Sequence, residues 1–118
     1  MRAIEEFGLA CGLAFQIQDD ILGVFGNEKV LGKSTLSDVR EGKNTILIYK
    51  TREMANANLD RIWGSKGAGT KELLRVREII EKSGALEWCR GESQRLVGKA
   101  KKYIPKIAKD VKLRQILA

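Results

Sequence analysis

The stretch Phe15-Gln16-Ile17-Gln18-Asp19-Asp20-Ile21-Leu22-Gly23 decides how this chain is read. An apolar run that starts at Phe7 leads into two adjacent aspartates. Two carboxylates at the end of an apolar helix are costly without a counter-charge, and a metal ion is the usual one. Gln16, Asp19, Asp20 and Gly23 are spaced by three and four, so they share one helical face. Gly32, Lys33, Asp38 and Lys43 follow in a segment of no sustained period. Magnesium keeps several waters and binds through one or two carboxylates plus substrate phosphates. A lysine ammonium supplies a point charge to the same phosphates. Asp19, Asp20 and Asp38 with Lys33 and Lys43 are therefore the groups a magnesium-diphosphate site needs.

Outward from that stretch, everything reads as helix. Residues 2–25 are apolar on most sides and form one central helix, ended by Phe25-Gly26-Asn27. Residues 26–43 read as a loop, long enough to be functional. A second helix is predicted from about Asn44 to Trp63, and Gly64 to Gly69 as a flexible connection. That connection is not a phosphate loop of the Walker type, because Thr precedes Lys at 70–71 and no strand leads into it. Thr70 is expected to cap a helix through Glu81, with Glu72 in its first turn. Ser83-Gly84 breaks the chain, Ala85 to Ile104 forms a further helix, and Pro105 is expected to interrupt it before a short helix over 106–117. The fold class is all-α, a helical bundle in a single domain of 118 residues.

Composition excludes several chemistries. The chain has no histidine and two isolated cysteines, Cys11 and Cys89, so histidine-ligated zinc and Ser-His or Cys-His catalysis are out. Two such cysteines suit a reducing cytoplasm, where they act as small hydrophobes. No run reaches the ~20 apolar residues of a membrane span, and Glu5 and Glu6 stand where a signal peptide would be basic. The net charge of +7 is confined to residues 95–118, where eight basic side chains face Asp110 alone. Such a tail could meet nucleic acid or an anionic membrane surface. Leu96, Ala100, Tyr103, Ile104, Ile107 and Val111 lie at helical spacing beneath it, which favours the solvated face of a packed helix.

The order of Phe-Gln-Ile-Gln-Asp-Asp-Ile-Leu-Gly-Val-Phe-Gly, Gly-Lys and Ser-Asp-Val-Arg-Glu-Gly-Lys-Asn-Thr closely resembles the second aspartate-rich region of trans-prenyltransferases, the polyprenyl, geranylgeranyl and farnesyl diphosphate synthases. The match covers about Phe7 to Leu47, and the later helices fit that family's C-terminal region more loosely. The resemblance implies the all-α isoprenoid synthase fold, with two aspartate-rich helices facing across a cavity. It implies Mg²⁺ as cofactor, an allylic diphosphate as substrate and isopentenyl diphosphate as its partner in condensation. Carried over, it makes Asp19 a direct magnesium ligand, with Asp20 and Asp38 acting nearby. Lys33 and Lys43 would hold the allylic diphosphate, and Phe15 and Gln16 would line the site.

The sequence departs from the family pattern in two places. The motif often ends in a third aspartate where Gly23 stands, and Asp19-Asp20 is the only adjacent aspartate pair, so the first aspartate-rich motif is absent. The resemblance thus implies a partial domain, roughly the last third of such an enzyme, inactive alone. It leaves product chain length open. A terpene cyclase would need Ser or Thr four residues after its first metal ligand, but Gly23 and Val24 stand there. Two alternatives are a non-catalytic subunit of a heteromeric synthase and a basic helical binder of nucleic acid or membrane. Self-association, as a dimer, is expected from the apolar wall such a fragment would expose.

Overall fold

The computed structural model describes residues 2–26 and 35–117. Those residues form five α-helices and one 3-10 turn: α1 (Arg2–Phe25), α2 (Thr35–Glu41), α3 (Ile46–Met54), the turn Leu59–Arg61, α4 (Thr70–Ser83) and α5 (Ala85–Leu117). No strand occurs among them. The all-α expectation holds.

The core follows from two seams. On α1, Ala10, Ala14, Ile17, Ile21 and Val24 are buried, alternating four and three apart. On α5, Ala85, Leu86, Cys89, Ser93, Leu96 and Ala100 are buried at similar spacing. Residues so spaced share one helical stripe, and each stripe needs a facing surface. The two helices supply it to each other in opposite senses: Ser93 Oγ lies within hydrogen-bonding reach of Gln18 and of the Ala14 carbonyl, and Cys89 lies near Asp20. Leu47 and Ile48 of α3 and Val76 and Ile80 of α4 complete the core, each fully buried. Burying a side chain of this size stabilises by roughly 1.5–3 kcal/mol.

Five elements differ from the sequence reading. Within the expected loop 26–43, α2 forms as a short helix over Thr35–Glu41, because Thr35, Asp38 and Val39 turn inward together. The helix expected over 44–63 starts at Ile46, capped by Thr45 Oγ1, and stops at Met54. Asn58 then caps a 3-10 turn by accepting the Asp60 N–H at 3.0 Å. Asn favours such local bonds over helix continuation. At α4 the cap is Gly69 rather than Thr70; the Glu72 carboxylate accepts the Gly69 N–H at 3.0 Å. The helix then runs to Ser83, where Gly84 at φ +87° takes the left-handed turn.

Pro105 does not break α5, which continues to Leu117. Proline removes the hydrogen bond to the residue four back, here Lys101. Both residues are exposed, so water can satisfy that carbonyl. The basic tail is packed only in part. Leu96 and Ala100 are buried, whereas Ile104 and Val111 are exposed, and beyond Ala100 no described residue of α5 is buried. On α1, Leu9, Leu13 and Phe15 are likewise exposed.

Candidate active site

The second half of α1, α2, the connector 42–45, the start of α3 and the middle of α5 enclose a cavity of about 860 Å³. Its wall includes Gln16, Asp19, Asp20, Asp38 and Lys43, five of the residues singled out from sequence. Lys33 lies outside the described residues. Phe15 is not part of this wall. One residue round the helix from Gln16, it is 71% exposed and borders a separate groove with Ala14, Gln18, Ser93 and Val97.

The three aspartates sit in three different environments. Asp19 is exposed, and its carboxylate makes no hydrogen bond or ion pair with a described residue. Asp20 is engaged on both oxygens: Oδ1 accepts Gln16 Nε2 at 2.9 Å, and Oδ2 accepts the Ile46 N–H at 3.3 Å. Ile46 opens α3, so the carboxylate sits at a helix N-terminus, where negative charge is favoured. Asp38 is buried and pairs with the Lys43 ammonium at 3.1 Å. Glu41 stands 3.7 Å from the same ammonium. The hydrogen bond to Asp38, then the charges of Asp38 and Glu41, raise the Lys43 pKa above its ordinary value. Among the described residues no three acidic or cysteine side chains gather closely enough to hold a metal ion by themselves.

The sequence reading missed the α5 wall. Trp88, Glu92 and Arg95 face the same cavity, joined by the apolar Leu96. Their spacing of four and three was legible as one helical face, but nothing in the sequence says that this face meets Asp19 and Asp20. The Lys50 ammonium lies 4.2 Å from the centroid of the Trp88 ring. Arg95 is hydrogen-bonded to Glu92, which holds that carboxyl below the usual range. With Leu13, Ile17 and Ile46, the cavity combines an acidic rim, cations and an apolar wall. Four carboxylates against two cations, Lys43 and Arg95, leave the lining net acidic, so an anionic group could sit there only with a bridging cation.

The helical fold, with three aspartates and a lysine along one cavity wall, agrees with the class that the sequence comparisons give. The family model for polyprenyl synthetase matches residues 1–82, and the chain belongs to that family. It is 45% identical over 86 residues to the geranylgeranyl diphosphate synthase of Sulfolobus acidocaldarius, covering 70% of this chain and 26% of that protein. The geranylfarnesyl diphosphate synthase of Aeropyrum pernix is 37% identical over 118 residues, covering 98% of this chain and 37% of that one. The crystal structure of a polyprenyl synthetase from Streptomyces coelicolor A3(2) superposes with a TM-score of 0.76 at 27% identity, over 89% of this chain and 34% of that chain. The chain therefore spans between a quarter and two fifths of the length of these relatives.

Proposed function

We propose that this chain is the diphosphate-gripping portion of a prenyltransferase that joins an allylic diphosphate to isopentenyl diphosphate in isoprenoid biosynthesis. One observation carries the reading: Asp19, Asp20, Asp38 and Lys43, drawn from three parts of the chain, line one cavity with an apolar wall. The residues fit Mg²⁺. Asp19 offers a free hard oxygen donor, and magnesium takes its remaining ligands from phosphate and water. When bound, the metal would neutralise charge on a departing diphosphate.

The chain's own groups have separate tasks in this reading. Lys43, oriented by Asp38, holds a phosphate oxygen with an N–H that this pair leaves over. Asp20 fixes Gln16 and the start of α3, and so shapes the site rather than binding first. Leu13, Ile17, Ile46 and Leu96 line the hydrocarbon chain and exclude water from the reacting carbon. Lys33 is assigned to the same phosphate on the resemblance alone. The chain spans only part of the length of its relatives, and in this reading it supplies one face of the site. We place it in the cytoplasm, which two free cysteines suit.

Comparing an allylic thiolodiphosphate with the matching prenyl alcohol by ligand-observed NMR tests this. Binding of the first and not the second is expected. Equal binding of both would remove the diphosphate site. A second reading rests on the exposed distal part of α5, with its lysines around Ile104 and Val111, as a membrane-surface helix. Salt-sensitive cosedimentation with anionic vesicles is the result it requires.

A further inference from the structure

Lys43 lies in the irregular connector between α2 and α3, so no helical ladder fixes its backbone. Something else does. The indole Nε1–H of Trp63 donates to the Lys43 carbonyl at 2.9 Å, and Trp63 is only 6% exposed. The next residue repeats the tie: the Gly64 N–H donates to the Val39 carbonyl of α2 at 2.7 Å. Gly42 and Gly64 are both at positive φ, and a β-carbon at Gly42 would meet the Gly64 Cα at 2.8 Å. The two backbones can approach this closely because both residues are glycine. On the surface, Arg52 bridges Asn44 (3.2 Å) to Asp60 of the 3-10 turn (2.9 Å). Lys43 and Asn44, neighbours in the connector, are thus each tied to the segment 59–64.

The geometry points to Trp63 as a positioning residue: the segment 59–64 acts as a clamp that presets the Lys43 ammonium for a diphosphate. This rests on the reading of Lys43 as a diphosphate ligand. A buried indole N–H has few partners to choose from, so the bond fixes register as well as distance. Trp63→Phe keeps an aromatic ring in the core and removes the donor. The Lys43 carbonyl is then free to rotate, and with it the side chain that must meet the phosphate. A residue that acts only through Lys43 has a further signature: its loss is silent once Lys43 itself is gone.

The test is calorimetric titration of inorganic pyrophosphate with magnesium into the 118-residue chain, for wild type, Trp63→Phe, Lys43→Gln and the double variant, with helicity checked by circular dichroism. Trp63→Phe is expected to weaken binding about fivefold, and to add nothing in the Lys43→Gln background. Unchanged affinity in Trp63→Phe overturns the inference, and so does an equal loss in both backgrounds. Should Trp63→Phe fail to fold, the exposed Arg52→Ala reads the second tie: a loss of about threefold that vanishes with Lys43→Gln supports the clamp, and no loss overturns it. If wild type binds no pyrophosphate, the diphosphate site itself falls, and the clamp with it.

Discussion

The Asp38 carboxylate stands against the bare Cα of Gly23, in the space that a β-carbon there would need. Gly23 occupies the place where the family motif often carries a third aspartate. In this chain that space holds a carboxylate from another helix, already paired with Lys43.

Gly23→Ala should therefore push Asp38 aside and cost about 1–3 kcal/mol, as overpacking does. The cost should shrink sharply in an Asp38→Ala background, because the colliding group is gone. Urea denaturation of the four proteins of this cycle measures it. Additive costs would mean that the two residues do not meet.

The ion pair sets a pH dependence. Asp38 raises the Lys43 pKa, so the folded state favours the ammonium. A cation with a raised folded value contributes stability in full below the unfolded lysine value of about 10.4, and loses it as pH rises through the folded value. The stability gap between wild type and Lys43→Met should thus stay level through neutral pH and narrow only above about pH 10.4. Denaturation midpoints against pH report this. A gap that already closes between about pH 6 and 9 would contradict it.

Leu47 and Ile48 are both fully buried at the start of α3, directly behind the Asp20–Ile46 hydrogen bond. Leu47→Ala should cost about 2–5 kcal/mol. Exposed Tyr49→Ala on the same helix should stay within about 0.5 kcal/mol. Thermal melts of the two variants separate these outcomes.

Pro105 lies inside an exposed helical stretch. Pro105→Ala should slow amide exchange around residues 101–110, since proline costs a helix interior about 3 kcal/mol relative to alanine. The melting of the core should not move. A parallel rise in core stability would show that the distal part of α5 packs on the body after all.

Leu9 and Leu13, four apart, leave an apolar strip of α1 uncovered, and Phe15 is exposed on another face of the same helix. Light scattering should find the chain self-associated, and Leu9→Gln with Phe15→Gln should shift it toward monomer. A monomer in wild type at working concentration would count against the expectation.

The helical class and α1 were legible because the signal there is strong: buried positions at three and four, then a sharp change to carboxylates. Asp19, Asp20, Asp38 and Lys43 were legible from motif order, and they do line one cavity. What was hidden depends on long-range contact. The short helix α2 has too few residues to show a period, and forms because Val39 finds the core. Trp63 reads as the end of a helix in sequence, yet it holds the Lys43 carbonyl from twenty residues away. Trp88, Glu92 and Arg95 carry a periodicity that names a face but not its partner. Pro105 misled because proline weakens a helix interior without having to end it where, as here, water can reach the orphaned carbonyl.

The most direct test of the proposed function is calorimetric titration of a non-hydrolysable allylic diphosphate analogue into the chain, with and without magnesium, for wild type and Asp19→Ala. Magnesium-dependent binding in wild type, lost in Asp19→Ala, is the expected result. Binding that ignores magnesium, or survives Asp19→Ala unchanged, would contradict Asp19 as the metal ligand. No binding at millimolar analogue would contradict a diphosphate site on this chain.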